Sequence, residues 1–370
     1  MIFLTIIAFL IIFSLLILVH EWGHFMMARR AGIKVEEFGI GLPPRAKKFF
    51  KDKKGTIYSL NWIPFGGFVR MYGEDSTDSK VIKDKNSFAS KTIGRRTSVI
   101  VAGVVMNFLL AWVIISIGFT FGMKPFLVTQ EDFERGIESG LVETEKILYV
   151  HEITPDSPLS MTDIQAGDVV VEINGQAVPD AEDISSVIGP NQLVTLKIIR
   201  DQRDGILNVM TDSEGKLGFV ISNDQMVLNV KNIRYPFYLA PAYAVKEVGR
   251  LSVLTVQMLG KVLVSIVAKF TVPDEVAGPV GIARMTYYFV QQGFMALLQF
   301  TALISISLGV INIMPFPALD GGRFLFIIYE FISRRRPNAR VEAVIHTFGF
   351  ALLMMLILVI TWNDILNLFR

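Results

Sequence analysis

The chain has 370 residues, of which 52% are hydrophobic and only 19% are charged. Since an average soluble domain carries about 25% charged residues, the composition indicates a membrane protein that also has a sizeable water-soluble part. The net charge of +2 gives no support for nucleic-acid binding. The sequence contains no cysteine, so disulfides and thiolate metal ligands are excluded, and a zinc site would have to use histidine and carboxylate ligands.

Four segments have the length and apolarity of membrane-spanning helices. They cover residues 1–30, 98–121, 296–330 and 344–366. We expect the first to be an uncleaved span rather than a signal peptide, because it lacks a basic start and a small-residue cleavage site. The pattern predicts an α-helical polytopic membrane protein with about four transmembrane helices.

Basic residues predict the orientation of these spans, because positive charge concentrates in cytoplasmic connections. One basic group lies in or beside the loop 31–97: Arg29, Arg30, Arg45, Lys47, Lys48, Lys51, Lys53, Lys54, Arg95 and Arg96. A second group lies between the last two spans: Arg334, Arg335, Arg336 and Arg340. Both connections are therefore expected in the cytoplasm. The region between the second and third spans, and both termini, are expected outside.

The cytoplasmic loop contains a segment, Tyr58–Tyr72, in which apolar and polar residues alternate moderately. This alternation, with a turn at Gly66–Gly67, predicts a membrane-associated β-hairpin on the cytoplasmic side.

Residues 124–223 have the composition of a soluble domain, with strands predicted at 147–153, 169–173 and 194–199. The run from Ile153 to Val178 resembles the central part of a PDZ domain, and Leu217–Val220 resembles the carboxylate-binding loop of that family. The matching positions in the run are Ser157, Pro158, Gly167, Asp168, Asn174 and Gly175. The resemblance implies an extracytoplasmic α+β PDZ domain that binds a peptide or C-terminus by strand addition. A spacer domain without a ligand is the alternative.

Residues 224–295 are predicted to be a linker that contains a membrane-associated helix. The part from Tyr243 to Phe270 has helical spacing with scattered lysine and arginine, which favours an amphipathic helix at the membrane interface. A further short element that dips into the membrane is left open.

The first span contains the sequence HEWGH at residues 20–24, which matches the H-E-x-x-H pattern. Histidines four positions apart lie on one face of a helix and can bind one metal ion. Glu21 then stands beside the metal, where it can act as a general base. The alternative is a polar face on a soluble helix. Since Arg29 marks the cytoplasmic end of the span, however, the two histidines lie about 8–14 Å inside the membrane, where ionisable groups are costly without a function.

Two histidines and a water leave a tetrahedral catalytic zinc one protein ligand short. Asp320 is the only acidic residue within 296–329. It follows Pro315 and Pro317, and such breaks in a membrane helix are tolerated where irregular backbone lines a buried site. The alternative is a carboxylate at a helix end that pairs with Arg323 on the next turn, and the residues alone leave both interpretations open.

HEWGH in the first span, together with N-x-x-P-x-P-x-L-D-G at 312–321, resembles the site-2 protease family of intramembrane metalloproteases. The inserted PDZ-like domain narrows the resemblance to the bacterial branch that includes the regulator-of-sigma-E protease, and Gly103–Asn107 matches the family pattern G-x-x-x-N. The resemblance implies that Asp320 is the third ligand of a single Zn²⁺ and that Asn312 lies near the bound substrate. One departure is that the best-studied enterobacterial member has two tandem PDZ domains, whereas residues 124–223 leave room for about one.

Four residues are predicted to contact substrate. Gly66 and Gly67 lie in the predicted hairpin, which resembles a membrane-associated β-element of the family. An exposed edge there could capture an unwound substrate as an added strand, the alternative being an ordinary soluble hairpin. Asn312 could hold a substrate carbonyl or the developing oxyanion, or brace the broken helix. Asn107 could contact substrate or, as we prefer, pack the second span against the first, because Gly103 one turn earlier permits close approach.

The predicted function is intramembrane proteolysis of single-span membrane proteins in the bacterial cytoplasmic (inner) membrane. The family resemblance implies anti-sigma factors and remnant signal peptides as substrates. The alternatives are a non-catalytic membrane PDZ scaffold, which leaves the metal-site residues unexplained, and a metal transporter, which predicts polar residues along successive spans rather than at one site.

Overall fold

The computed structural model describes residues 2–74, 78–177, 184–200, 203–269 and 276–366. Phe270, where the predicted amphipathic segment ends, and Val178, where the PDZ-like run ends, lie outside the described residues. The chain divides into two compact units. The first, here the helical unit, comprises Met1–Met123 and Arg234–Arg370. The second, here the inserted unit, comprises Lys124–Ile233.

The described helices of both units are numbered in chain order. They are α1 (Ile2–Arg30), α2 (Ser79–Lys83), α3 (Ile93–Phe121), α4 (Gln130–Glu138), α5 (Ile184–Val187), α6 (Ala240–Lys269), α7 (Pro279–Gln291), α8 (Phe294–Ile313), α9 (Asp320–Ser333) and α10 (Ala339–Leu366). Of these, α4 and α5 belong to the inserted unit.

Five of the described helices are long and apolar enough to cross a membrane: α1, α3, α6 over Ala240–Ser265, α8 and α10. Four of them overlap the predicted spans. The fifth lies in α6, which the sequence analysis assigns to the membrane interface, and its mean hydropathy of 1.3 is the lowest of the five. A multi-pass membrane protein is therefore supported, and the count of four spans stays a prediction.

Residues 296–330, predicted as one segment, form two helices, α8 and α9, with a break at 314–319. Pro315 and Pro317 lie in this break. They favour it because proline has no N–H to donate within a helix. Gly349 of α10 packs so closely on the break that an added Cβ would lie 2.8 Å from the Pro317 carbonyl oxygen. Asp320 is consequently the first residue of α9 rather than an interior position of a span.

The predicted hairpin at Tyr58–Tyr72 is corrected by the structure. Residues 57–71 form one strand, β2 (Ile57–Met71), which pairs with β1 (Val35–Lys51) in a two-stranded sheet. The two halves of β2 do not pair with each other, because both pair with the start of β1: Phe38 has Tyr58 and Val69 as partners. In the described residues this leaves 67–71 at an edge of the sheet.

The inserted unit is built on a six-stranded sheet. Its strands are β3 (Val142–Ile153), β4 (Val169–Ile173), β5 (Gln176–Ala177), β6 (Leu193–Arg200), β7 (Arg203–Met210) and β8 (Phe219–Val230). The order is β7-β6-β4-β3-β8, with β5 paired to β4. A short 3₁₀ helix, Pro158–Met161, precedes β4. The unit extends to Ile233 rather than to 223, because β8 continues its pairing with β3 as far as Val142↔Val230.

Helix α3 holds the helical unit together, because it packs against α1, α6, α8 and α9. Its contact with α9 includes a buried ion pair between Arg96 Nη2 and Glu330 Oε2 at 2.7 Å. Its contact with α8 is close at Gly309, where an added Cβ would lie 3.1 Å from the Phe108 ring. The helices that carry the predicted metal residues, α1 and α9, are therefore both fixed by α3.

Candidate metal centre

Three predicted metal ligands from distant parts of the chain converge in the helical unit. His20 Nε2 and His24 Nε2 lie 3.0 Å apart, and Asp320 Oδ2 lies 3.0 Å from the first and 3.1 Å from the second. Among the described residues, this is the one group of histidine and acidic side chains that could hold a metal ion. A tetrahedral ion with bonds of about 2.0–2.1 Å has ligand atoms about 3.3 Å apart, so the three atoms have the separation that such an ion requires.

The hydrogen bonds around His24 test whether these residues suit a metal. His24 Nδ1 lies 2.8 Å from the carbonyl oxygen of Val99, which can only accept, so Nδ1 carries the proton. Nε2 of the neutral ring then presents a lone pair toward Asp320 Oδ2, which is buried and has no hydrogen-bond partner among the described residues. Electron-pair donors at this separation repel unless a cation lies between them, so the donor set fits zinc.

Glu21, the predicted base, lies on α1 between the two histidines in sequence. Its Oε2 accepts a hydrogen bond of 2.9 Å from the backbone N–H of Val69 in β2. The N–H of Val69 therefore points toward α1 and away from β1. This bond fixes the carboxylate beside the predicted metal ligands and joins the sheet edge to the candidate metal centre.

Helix α3 approaches the two histidines so closely that no side chain fits between them. A Cβ on Gly103 would lie 2.8 Å from His20 Cε1 and closer still to His24 Nε2. The predicted role of Gly103, close helix approach, is thereby explained by contact with both imidazole rings.

The sheet also approaches α1 closely, at Gly66 and Gly67. Both glycines are buried, and added Cβ atoms would lie 2.9 Å from Ile17 Cδ1 and 2.6 Å from Leu18 Cδ2 respectively. Gly66 also has a φ of +73°, which favours glycine. In the structure the two glycines set the approach of β2 to α1, and direct contact with substrate stays a prediction.

The two predicted asparagines differ in their surroundings. Asn312 is half-buried in the last turn of α8, next to the break that precedes Asp320. Asn107 is buried on α3, and its Nδ2 lies 3.4 Å from His20 Nδ1. Asn107 thus contacts a predicted metal ligand, and substrate contact at either residue stays a prediction.

Three groups around the site were missed by the sequence analysis. They are the Val99 carbonyl, the Val69 N–H and His346, whose Nδ1 accepts a 3.0 Å hydrogen bond from the N–H of Ala318 in the break. Ala318 has a φ of +76°, so this bond stabilises a backbone conformation that L-residues rarely adopt. The first two are backbone groups without a sequence signal, whereas His346 had a weak one, since the chain contains only four histidines.

Arg323, the alternative partner of Asp320, forms an ion pair with Glu74 in the loop between β2 and α2. The sheet has its own buried charge, Glu37, which accepts hydrogen bonds from Arg45 and, at 2.7 Å, from Ser59 Oγ. The Arg45 guanidinium holds the pKa of Glu37 below its ordinary value despite burial. The first ion pair joins α9 to the loop after β2, and the second stabilises the sheet.

The chain is similar over almost its whole length to a known protein family and to several relatives. The model of a family described as peptidase family M50 matches residues 8–356. A putative zinc metalloprotease of Rickettsia conorii is 32% identical, with 99% of each chain covered. A putative zinc metalloprotease of Clostridium acetobutylicum is also 32% identical, with 98% of each covered. The regulator of sigma-W protease RasP of Bacillus subtilis is 29% identical, with 99% of each covered.

Proposed function

Because the chain belongs to peptidase family M50, which confirms the resemblance to site-2 proteases, it is a zinc metalloprotease, and we propose that it cleaves single-span membrane proteins within or near their transmembrane segment. One observation carries the proposal: two histidines of a membrane-type helix and Asp320 present three ligand atoms within 4.8 Å of one another. His20, His24 and Asp320 hold the zinc, and Glu21 is the catalytic base. Neither a PDZ scaffold nor a metal transporter accounts for a base beside one isolated centre.

Zinc, when bound, polarises the scissile carbonyl and activates water for attack. Glu21 takes a proton from the attacking water and delivers it to the leaving amine. The Val69 N–H holds the Glu21 carboxylate in place for both transfers. Asn312, at the end of the helix before Asp320, donates its amide N–H to the substrate carbonyl as negative charge develops on it.

A helical substrate must unwind before its carbonyls are accessible, since they are bonded within the helix. The segment 67–71 receives the unwound chain as an added strand. Two observations support this proposal: the segment is a sheet edge, and it runs beside α1 with Val69 bonded to Glu21. An extended substrate on this edge would pass directly in front of the catalytic base.

The inserted unit is proposed to be a PDZ domain that lies outside the cytoplasm, as do both termini, in a bacterial cytoplasmic membrane. Its strand β8 supports peptide binding by strand addition, because it lies at an edge of the sheet and begins within the predicted binding loop Leu217–Val220. Substrates of the proposed class include anti-sigma factors and remnant signal peptides. A relative named as a regulator of sigma-W protease supports the first of these.

The full chain with Glu21→Gln tests the catalytic proposal. Gln keeps the shape of the side chain but cannot accept a proton, so cleavage of a reconstituted single-span substrate should fall by about 10²–10⁴-fold. Zinc content, measured on the same sample, should equal that of the unsubstituted chain. Glu36→Gln, on β1, is the control and should leave both values unchanged. Undiminished cleavage by the Glu21→Gln chain would contradict the mechanism.

Proline substitution across Ile57–Met71 tests the capture of substrate. Val69→Pro removes the N–H that holds Glu21 and that lies on the proposed edge, so cleavage should fall, whereas Val69→Ala keeps the N–H and should retain cleavage. Cleavage that is insensitive to proline throughout the segment would eliminate strand capture and the role of the Val69 N–H in holding Glu21, but not the proposed zinc ligands.

A further inference from the structure

Asn107 on α3 is one of the most deeply buried polar residues, with 1% of its surface exposed. Its Nδ2 lies 3.4 Å from His20 Nδ1. Its Oδ1 is buried and has no hydrogen-bond partner in the part of the chain that the structure describes. A buried amide oxygen without a donor costs about 1–3 kcal/mol, so the amide requires an explanation.

The chemistry of His20 supplies a donor for this oxygen. His20 directs Nε2 at His24 and Asp320, and a histidine that binds a metal through Nε2 carries its proton on Nδ1. As placed, that N–H faces the amide NH₂, which is also a donor. The two ends of an amide differ only in which atom is oxygen. Rotation of the amide by 180° therefore brings Oδ1 to His20 Nδ1, so that this oxygen accepts the Nδ1–H, and moves the NH₂ to the position that Oδ1 occupied.

On the premise that the proposed zinc site is correct, we propose that Asn107 is a positioning residue for the metal, whose Oδ1 accepts the Nδ1–H hydrogen bond of His20. This bond fixes the tautomer and the plane of the imidazole ring. Metal-bound histidines commonly donate their second N–H to a protein acceptor in this way.

The surroundings of Asn107 hold it in position. Its own carbonyl oxygen accepts a 2.8 Å hydrogen bond from Ser305 Oγ on α8, and Gly103 one turn earlier brings the helix against both rings. His24, the other proposed histidine ligand, has a corresponding acceptor, since its Nδ1 is hydrogen-bonded to the Val99 carbonyl oxygen. One helix thus supplies an acceptor to each histidine, a backbone oxygen for His24 and a side-chain oxygen for His20.

As a positioning residue, Asn107 has a role other than the helix packing or the substrate contact that the sequence suggested. Packing alone would be served by an apolar side chain of similar size. Contact with substrate would require the substrate to reach a side chain that is 1% exposed. If Asn107 positions His20, zinc affinity depends on an oxygen at this place that accepts a hydrogen bond. Zinc affinity can be measured without any substrate.

The test is the zinc dissociation constant of the full chain, measured by competition with a chelator. Asn107→Leu fills a similar volume without an acceptor and should weaken zinc binding by about 10–100-fold. Asn107→Asp keeps an oxygen at the same place and should bind zinc within a few-fold of the unsubstituted chain. Thr301→Ala, which removes a buried hydroxyl of α8 that bonds within its own helix, is the control for loss of a buried polar group.

Two results would overturn the inference: unchanged zinc affinity in the Leu variant, or equal weakening in the Leu and Asp variants. Thermal unfolding of the metal-free chains checks that the variants fold. Should the Leu variant not fold, the Asp variant decides, and a dissociation constant more than about 100-fold above that of the unsubstituted chain counts against the proposal. An unsubstituted chain that binds no zinc would instead refute the proposed function itself.

Discussion

Asp320 in the helical unit and Asp168 in the inserted unit are both largely buried carboxylates, but their partners are opposite in kind. Asp168 is surrounded by donors: Arg200 Nε donates to Oδ1 and Arg200 Nη2 to Oδ2, each at 2.6 Å, and the N–H of Gln165 lies 2.8 Å from Oδ2. Asp320 Oδ2 faces two histidine nitrogens at 3.0 and 3.1 Å and has no hydrogen-bond partner among the described residues.

The difference distinguishes a carboxylate that is satisfied within its own fold from one that is proposed to bind a metal. Burial opposes ionisation of Asp168, but the hydrogen bonds from Arg200 and Gln165 outweigh it and hold its pKa below the ordinary value. A buried carboxylate that is satisfied by donors stabilises its own fold. One that faces other electron-pair donors is suited to bind a cation, which here is the proposed zinc.

The largest effect is expected for Asp320→Ala. Since it removes the proposed third ligand, zinc affinity should fall by more than the roughly 10–100-fold that loss of an outer hydrogen-bond partner costs. The measurement is the zinc content of the purified full chain after dialysis, beside that of the unsubstituted chain. Full retention of zinc would refute Asp320 as the third ligand and remove the contrast with Asp168.

Gly103→Ala should produce the next largest effect. The added methyl group would overlap both imidazole rings, so zinc binding should weaken by about 10-fold or more, as for other disturbances of ligand orientation. Gly94→Ala on the same helix is a matched control, because nothing lies within 4 Å of the added atom. Equal zinc affinity in the two variants would show that α3 does not hold the ligands as described.

Asp168→Asn should act only on the inserted unit. It removes the charge that Arg200 binds, so the free energy of unfolding of this unit should fall by about 2 kcal/mol. Hydrogen exchange of the β4 and β6 amides in the full chain measures this loss. Zinc content should not change, and a loss of zinc would show that the two carboxylates are not independent. Glu172→Gln, whose ion pair with Lys197 is partly exposed, should cost less than about 1 kcal/mol.

The smallest effect is a pH dependence of the same unit. Because the pKa of Asp168 is lowered on folding, its contribution is fully present above the unfolded value of about 3.9. Below that value the unfolded chain binds the proton first, so the contribution is lost as the pH falls toward the folded pKa. The difference in amide protection between the unsubstituted chain and Asp168→Asn should therefore shrink below about pH 4. A constant difference would contradict this linkage.

Much of the proposed metal centre could be predicted from the sequence, because three of its four residues lie close together in the chain. His20, Glu21 and His24 lie within one helical turn, and the spacing alone places the two histidines on one face. Asp320 could be proposed only from a missing ligand and from resemblance, since about 300 residues separate it from HEWGH. The β-hairpin at Tyr58–Tyr72 was wrong in its pairing, because alternation predicts a strand but does not specify the neighbour beside which it lies.

The sequence by itself determined the apolar helices, the insertion between them, the two motifs and the membership in a peptidase family. Each of these depends on residues that are close in the chain or on a pattern repeated along it. Only the tertiary structure decided that Asp320 faces the histidines, that Val69 bonds Glu21 and that Asn107 contacts His20. Those contacts join α1 to α9, β2 and α3. They arise when several apolar surfaces are buried together, which no local spacing specifies.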